Sequence, residues 1–379
     1  MGLSDTSAPI FFTHVPKCAG TTIHTLLDTK YPSDKFFRTV RGGTREGFLA
    51  TPSRFFADYD YLGGHLFDFD CTYKVGQAVG ITTMRDPLSR LQSLMNHVLR
   101  SEKGDGLEAF AAFRDGDPQG LYAYLHSDYY ARNSMLAYFS DEPALEGFTN
   151  QSYSPDLVEK LAQRIASSYC AVINQDEIEE FLSWYGRPSR YSISGRRMVG
   201  SDLGEYTNFK DKFDAKVLEL LEPEIQFHKR LLELRAPLNR DAMKKNRKSW
   251  VLNWDEPVDC YGFRMRAPGK VPSSIVPEFT SRPTEKASAS LFVPLESSAP
   301  CRFSGLLWLV DPKDMKHLRL QLNGETVAYK QTRLEQKLIF IYGELPGHPA
   351  DAEWLFEFTG DMSSRAVWLH DFCIHAFES

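Results

Sequence analysis

The stretch Pro9-Ile10-Phe11-Phe12-Thr13-His14-Val15-Pro16-Lys17-Cys18-Ala19-Gly20-Thr21-Thr22 decides how the rest of the chain is read. Pro9 to Val15 is an apolar run of strand length, and Thr21 to Leu27 reads as a helix. A strand, a glycine-containing loop and a helix start form a geometry that binds anions. Backbone N–H groups at the helix end lack intrahelical partners, and the helix dipole favours negative charge. Gly20 lets a backbone come close, Thr21 and Thr22 add hydroxyl donors, and Lys17 adds a charge on a long stem. The ATP-type loop has its lysine directly after the last glycine, whereas Lys17 precedes Gly20. The ordinary alternative is a strand-to-helix turn with a surface lysine.

Outward from this loop the alternation continues. Ala78 to Met84 is a second buried strand. After Arg85-Asp86-Pro87, the positions Leu88, Leu91, Leu94, Met95, Val98 and Leu99 recur at helical spacing, with Pro87 suited to the first helical position. Tyr169 to Ile173 is a third strand, and Asp176 with Glu179 resembles a capping pair opening a helix through Trp184. Residues 205–234 read as helical, interrupted at most by Pro223. This pattern predicts an α/β domain over residues 1–237, a P-loop-like three-layer sandwich with a mainly parallel sheet.

From Leu238 the texture changes. A basic connection leads into strand-length segments rich in β-branched and aromatic residues, among them SASLFVPL, RFSGLLWLV, HLRLQLNG, KLIFIYGEL, EWLFEF and RAVWLHDFCIHAF. Asn323-Gly324 is a hairpin turn signal. Residues 238–379 are therefore expected to form an antiparallel, jelly-roll-like β-sandwich. Its aromatics Trp308, Phe340, Trp354 and Trp368 suit a sandwich core better than a sugar-stacking platform.

Composition narrows the function classes. The chain has 379 residues, 42% hydrophobic and 25% charged, which fits a folded chain of two domains. A net charge of −6 gives no support to nucleic-acid binding. The N-terminus lacks a signal-peptide pattern, and no window approaches the apolar length of a membrane helix. Six scattered cysteines lack metal-ligand spacing and read as reduced thiols. The expectation is a cytoplasmic protein without a metal.

FFTHVPKCAGTT resembles the loop of the sulfotransferase superfamily that binds 3′-phosphoadenosine 5′-phosphosulfate (PAPS). It is closest in pattern to the branch with the heparan sulfate 2-O- and 6-O-sulfotransferases and their bacterial relatives. The resemblance covers about residues 9–235 and implies that Lys17, Gly20, Thr21 and Thr22 bind the 5′-phosphosulfate. Cys18 and Ala19 depart from the commonest Thr-Gly; alanine fits position 19 if its φ stays negative. TTMRDPLSRLQSL resembles the second family motif, in which Arg85 and Ser93 bind the 3′-phosphate. A guanidinium fork and a hydroxyl suit that dianion, the alternative being an Arg85–Asp86 surface pair. Arg90 reads as a structural ion-pair partner.

In the same family a Gly-His pair between the two motifs carries the base, which places it at His65 in Tyr61-Leu62-Gly63-Gly64-His65. Histidine suits proton removal near neutrality, the alternative being a packed histidine at a strand end. Asp68 and Asp70 are candidates to orient the ring or to replace it as base. Asn133 and Met135 match a later family segment whose arginine falls on Ala137, so Arg132 and Asn133 are candidate acceptor contacts. Arg196 and Arg197 read as solvated surface more than as an acceptor contact. The resemblance thus implies an enzyme moving the sulfuryl group of PAPS to a hydroxyl of a saccharide, polysaccharide or glycolipid, with Lys17 and His65 catalytic. The rivals are a P-loop phosphotransferase and a glycan-binding or scaffolding protein with a degenerate enzyme domain. Oligomeric state has no sequence signal.

Overall fold

A computed structural model describes residues 4–31, 35–38, 45–100, 118–127, 129–140, 153–185, 213–238, 246–252, 260–261, 269–270, 280–283, 288–293, 297, 299–309, 311–347, 352–358 and 367–376. Strands at Ser4–Ser7 (β1) and Ile10–Thr13 (β2) open the chain. β2 is the middle strand of a five-stranded sheet completed by Phe36–Arg38 (β3), Tyr61–Gly64 (β4), Val79–Met84 (β5) and Tyr169–Asn174 (β6). The order is β3-β4-β2-β5-β6, and every pairing is parallel. Parallel strands are covered on both faces, which is why β2 and β5 are buried along their whole length instead of alternating.

The described helices are Gly20–Lys30 (α1), Arg45–Ala50 (α2), Asp68–Lys74 (α3), Pro87–Arg100 (α4), Pro118–Ser127 (α5), Tyr129–Phe139 (α6) and Pro155–Ser168 (α7) between the strands, and Ile178–Tyr185 (α8) and Ala215–Leu234 (α9) after the last of them. On one face Ile23 and Leu27 of α1 and Phe181 of α8 pack on Phe12, Ile81 and Ile173. On the other, Leu136, Ile165 and Phe227 from α6, α7 and α9 cover Met84 and Val172. The capping box before α8 is formed by Asn174 and Glu177, two residues ahead of the expected Asp176–Glu179 pair. Of the expected helix over 205–234, the described part begins after Asp214, whose carboxylate caps α9.

The second unit is antiparallel. Its strands are Asn246–Val251 (β7), Cys260–Tyr261 (β8), Gly269–Lys270 (β9), Thr280–Pro283 (β10), Ser288–Val293 (β11) and Cys301–Leu309 (β12). They continue with Leu318–Leu322 (β13), Glu325–Thr326 (β14), Lys330–Arg333 (β15), Leu338–Leu345 (β16), Ala352–Phe358 (β17) and Val367–Ala376 (β18). One sheet runs β1-β7-β18-β12-β16-β15, with β10 on β18 and β9 on β10; the other runs β14-β13-β17-β11-β8. Asn323 and Gly324 both adopt positive φ between β13 and β14, as a two-residue hairpin turn requires.

α/β followed by a β-rich unit is therefore what the chain forms. α9 ends at Leu234 and β7 begins at Asn246, while β1, at the start of the chain, pairs with β7 and joins the second unit's sheet. Phe303, Leu307, Ile341 and Phe372 of the large sheet face Leu291, Leu320, Trp354 and Phe356 of the small one. The alternate positions Leu306, Leu338, Phe340 and Tyr342 pack instead on Phe11, Leu62, Phe69 and Tyr73 of the first unit. A sheet buried on both faces explains the unbroken apolar runs of β12 and β16. Among the four aromatics singled out, Trp354 is core and Phe340 lies between the units. Trp308 and Trp368 are half-buried and meet edge to face at 6.2 Å.

A bulge in β18 adds a polar contact at this junction. The register with β12 shifts between Leu306 and Leu307, so Leu369 and Phe372 both face the sandwich core and Asp371 turns to the first unit. There its carboxylate meets Lys74 Nζ at 2.5 Å and accepts from Ser53 N at 3.0 Å and Ser53 Oγ at 2.8 Å.

Candidate functional site

The chain leaves β2 toward β3 on one side and leaves β5 toward β6 on the other, so the connections diverge at the carboxyl ends of β2 and β5. Ligands of open α/β sheets bind at such a switch point. The loop after β2 lies there. Lys17 and Ala19 take left-handed backbone angles, φ 67° and 63°. The negative φ expected of Ala19 is thus not adopted, because a left-handed residue is needed to turn the chain into α1. No side chain caps α1, and its first turn carries no acidic residue. A helix start of this kind suits an anion. Lys17 and Thr22 are half-buried and Thr21 is exposed.

Two residues of the loop are committed to packing. Cys18 is fully buried with Val15, Met84 and Ala137, and burial pushes its thiol up to about 12 despite the nearby Arg90. It is a core side chain that stays protonated. Gly20 serves a second need beyond backbone approach: a Cβ there would collide with the imidazole of His14.

His65 follows β4 and is exposed. Its Nδ1 lies 3.1 Å from the His14 carbonyl oxygen and 3.2 Å from the Tyr138 hydroxyl. A carbonyl only accepts, so Nδ1 carries the proton, and in the neutral ring Nε2 has the lone pair. The ring stacks on that of His14 at 4.3 Å with 24° between planes. Both aspartates have partners of their own. Asp68 accepts from the Tyr169 hydroxyl at 2.9 Å and pairs with Arg164 at 3.5 Å. Asp70 is buried against Arg45 at 2.5 and 2.7 Å, and burial raises its carboxyl even against that guanidinium. His14 and Tyr138, which the sequence reading left out, do the orienting. Their signal was available only in three dimensions, since Tyr138 lies 73 residues away.

Arg85, at the end of β5, donates from Nη1 to the Lys17 carbonyl at 3.3 Å and so ties the second motif to the first. Asp86 accepts from Ser89 N at 2.8 Å and caps α4. Ser93 is half-buried on α4.

Arg132 and Asn133 lie where α6 breaks, with Asn133 at φ −128° and ψ 33°. The break is filled by an ion pair. Arg90 Nη2 donates to the Ala131 carbonyl at 2.6 Å, Glu224 Oε1 accepts from Met135 N at 2.7 Å, and Arg90 and Glu224 meet at 2.6 Å. These groups replace the helix bond between Met135 and Ala131. Asn133 is only 4% exposed, and its Oδ1 has no hydrogen-bond partner among the described residues. Ala137 packs in the same cluster as Cys18, so no polar group stands at that position. Arg196 and Arg197 lie outside the described residues.

Among the described residues no group of three His, Cys, Asp or Glu is placed to hold a metal ion. Nor is any described helix long and apolar enough to cross a membrane. No protein-family model matches the chain, and no curated protein matches it either. Among solved structures, the carbohydrate-binding module CBM36 in complex with calcium and xylotriose is 12% identical. The match covers 30% of this chain and 92% of that one, at a TM-score of 0.22. A two-domain esterase (CEX) active on acetylated mannans, co-crystallised with mannopentaose, is 10% identical over 98% of this chain and 91% of that one, at 0.31. Likenesses this slight do not establish a shared fold.

Proposed function

We propose that the chain is a PAPS-dependent O-sulfotransferase acting on a hydroxyl of a carbohydrate-type acceptor, built on a P-loop-like cradle. The observation that supports it is a convergence at the sheet's switch point: His65 and Arg85 each bond a carbonyl of the loop that carries Lys17. The acceptor class, a saccharide, polysaccharide or glycolipid, follows from the resemblance of the two motifs.

The residues present fit PAPS. Lys17, Gly20, Thr21 and Thr22 at the uncapped start of α1 suit the 5′-phosphosulfate, while Arg85 and Ser93 suit the 3′-phosphate. When bound, PAPS supplies an activated sulfuryl group on a phosphate leaving group. His65 Nε2 would accept the proton of an acceptor hydroxyl held beside it. The Lys17 ammonium offsets the negative charge growing on the oxygen that departs. The Nδ1 bond to His14 fixes the tautomer that leaves Nε2 basic.

Thermal unfolding with adenosine 3′,5′-bisphosphate and with ATP–magnesium tests the nucleotide. The bisphosphate is expected to protect better; the reverse order points to a phosphotransferase. His65→Ala should keep that protection while losing roughly 10²–10⁴-fold in turnover, the usual worth of a positioned base. Turnover near wild type would remove His65 from that role.

A further inference from the structure

Behind His65 lies a hydrogen-bonded chain that the sequence reading did not assign. His24 Nε2 is 3.2 Å from His14 Nδ1, and His24 Nδ1 bonds the Tyr61 hydroxyl. His24 is 2% exposed and Tyr61 0%. His24 stands edge-on to both Phe12 and His14, with ring centroids 4.9 Å apart in each case. Phe12 and His14 are near parallel, at 5.8 Å and 14°.

Two glycines make room for this arrangement. A Cβ on Gly20 would strike the His14 ring, and one on Gly63 would strike the Tyr61 ring. Hydrophobic packing alone does not select an imidazole at position 24, since burying a polar ring is unfavourable unless both nitrogens are bonded. Here both are, and the bonds hold His14 in the one place where its ring carries His65 and its carbonyl accepts from His65 Nδ1.

We propose that His14 is a positioning residue for His65, held in place by His24 and Tyr61. Tyr61 begins the strand that ends one residue before His65, so the base is held through its own strand and through the stack. The inference rests on the reading of His65 as the base. A group that must reach an acceptor proton loses about 100-fold in rate for a displacement near 1 Å.

Three variants test it. His24→Phe keeps the ring volume and removes both hydrogen bonds, His24→Gln restores a donor, and Tyr61→Phe removes only the far hydroxyl. His24→Phe is expected to lower kcat roughly 10–100-fold with KM for PAPS within about twofold, since only the placement of the base changes. His24→Gln should recover much of that loss. Imidazole nitrogen NMR of the free protein should show His65 protonated at Nδ1 in the wild type and a tautomer mixture in His24→Phe. A kcat within twofold of wild type, or an unchanged His65 tautomer, would overturn the inference. If His24→Phe does not fold, Tyr61→Phe carries the same two readouts, and both unchanged there would overturn it as well. A wild-type protein that turns over no PAPS would contradict the proposed function, while the NMR comparison would still decide whether His24 and Tyr61 position His65.

Discussion

Ala19 and Gly20 are neighbours that respond to substitution in opposite ways. Ala19 holds φ 63°, a region that costs an L-residue roughly 1–2 kcal/mol and a glycine almost nothing. Ala19→Gly should therefore stabilise the protein by about 1 kcal/mol after the glycine's extra chain entropy is counted. Gly20→Ala drives a methyl into the His14 ring. It should cost about 1–3 kcal/mol, as overpacking does, and lower turnover with it by moving the support of His65. Urea unfolding of the two variants beside the wild type checks both signs. If Gly20→Ala proves neutral, the His14 ring is not where the site requires it.

Among the elements, α6 shows how a buried ion pair repairs a helix. Burial pushes the Glu224 carboxyl up while Arg90 pulls it down, so the pair's value lies in the two backbone groups it satisfies as much as in its charges. Glu224→Gln leaves Arg90 buried without its counter-charge and should cost about 3–5 kcal/mol in a urea titration. A loss below 1 kcal/mol would show that the break in α6 does not depend on the pair. The elements also show what the sequence made legible. β2, β5 and β6 are apolar runs; the second-unit strands β11, β13, β16 and β18 lie within segments read as strands, and β12 and β17 each begin one residue before theirs. β4 carries two glycines in four residues, and its pleat is completed by Tyr61 folding over Gly63, which periodicity does not reveal. β1 is the polar tetrapeptide Ser-Asp-Thr-Ser, a strand only because β7 offers it an edge. Of the candidate site, the residues legible from motifs are Lys17, His65 and Arg85, which the backbone brings to one loop. It was illegible at His14, His24 and Tyr138, whose roles exist only once β2, β4, α1 and α6 have packed.

For the whole molecule, the described residues of the two units share an apolar cluster and buried polar contacts, among them Asp371 with Lys74 and Ser53, and Ser304 Oγ donating to the Tyr73 carbonyl. His370 sits in the same bulge, and burial lowers it from 6.5 to about 4. Between those values the unfolded chain binds a proton that the native chain refuses, so stability falls as pH falls. From pH 7 to pH 5 this amounts to about 2 kcal/mol. His370→Gln, which cannot take the proton, should lose that much less over the same interval by urea unfolding. An identical loss in both would place the acid sensitivity elsewhere. Lys74→Met leaves Asp371 buried without its cation and should cost about 3–5 kcal/mol.

Sulfuryl transfer from PAPS to a carbohydrate hydroxyl is the reaction proposed for this chain. Labelled PAPS offered with polysaccharide, oligosaccharide and glycolipid acceptors, against small alcohols and phenols, tests it most directly. Expected is label transferred to a carbohydrate hydroxyl by the wild type, lost with His65→Ala and with Lys17→Ala. No transfer to any acceptor, or transfer that survives both substitutions, would contradict it.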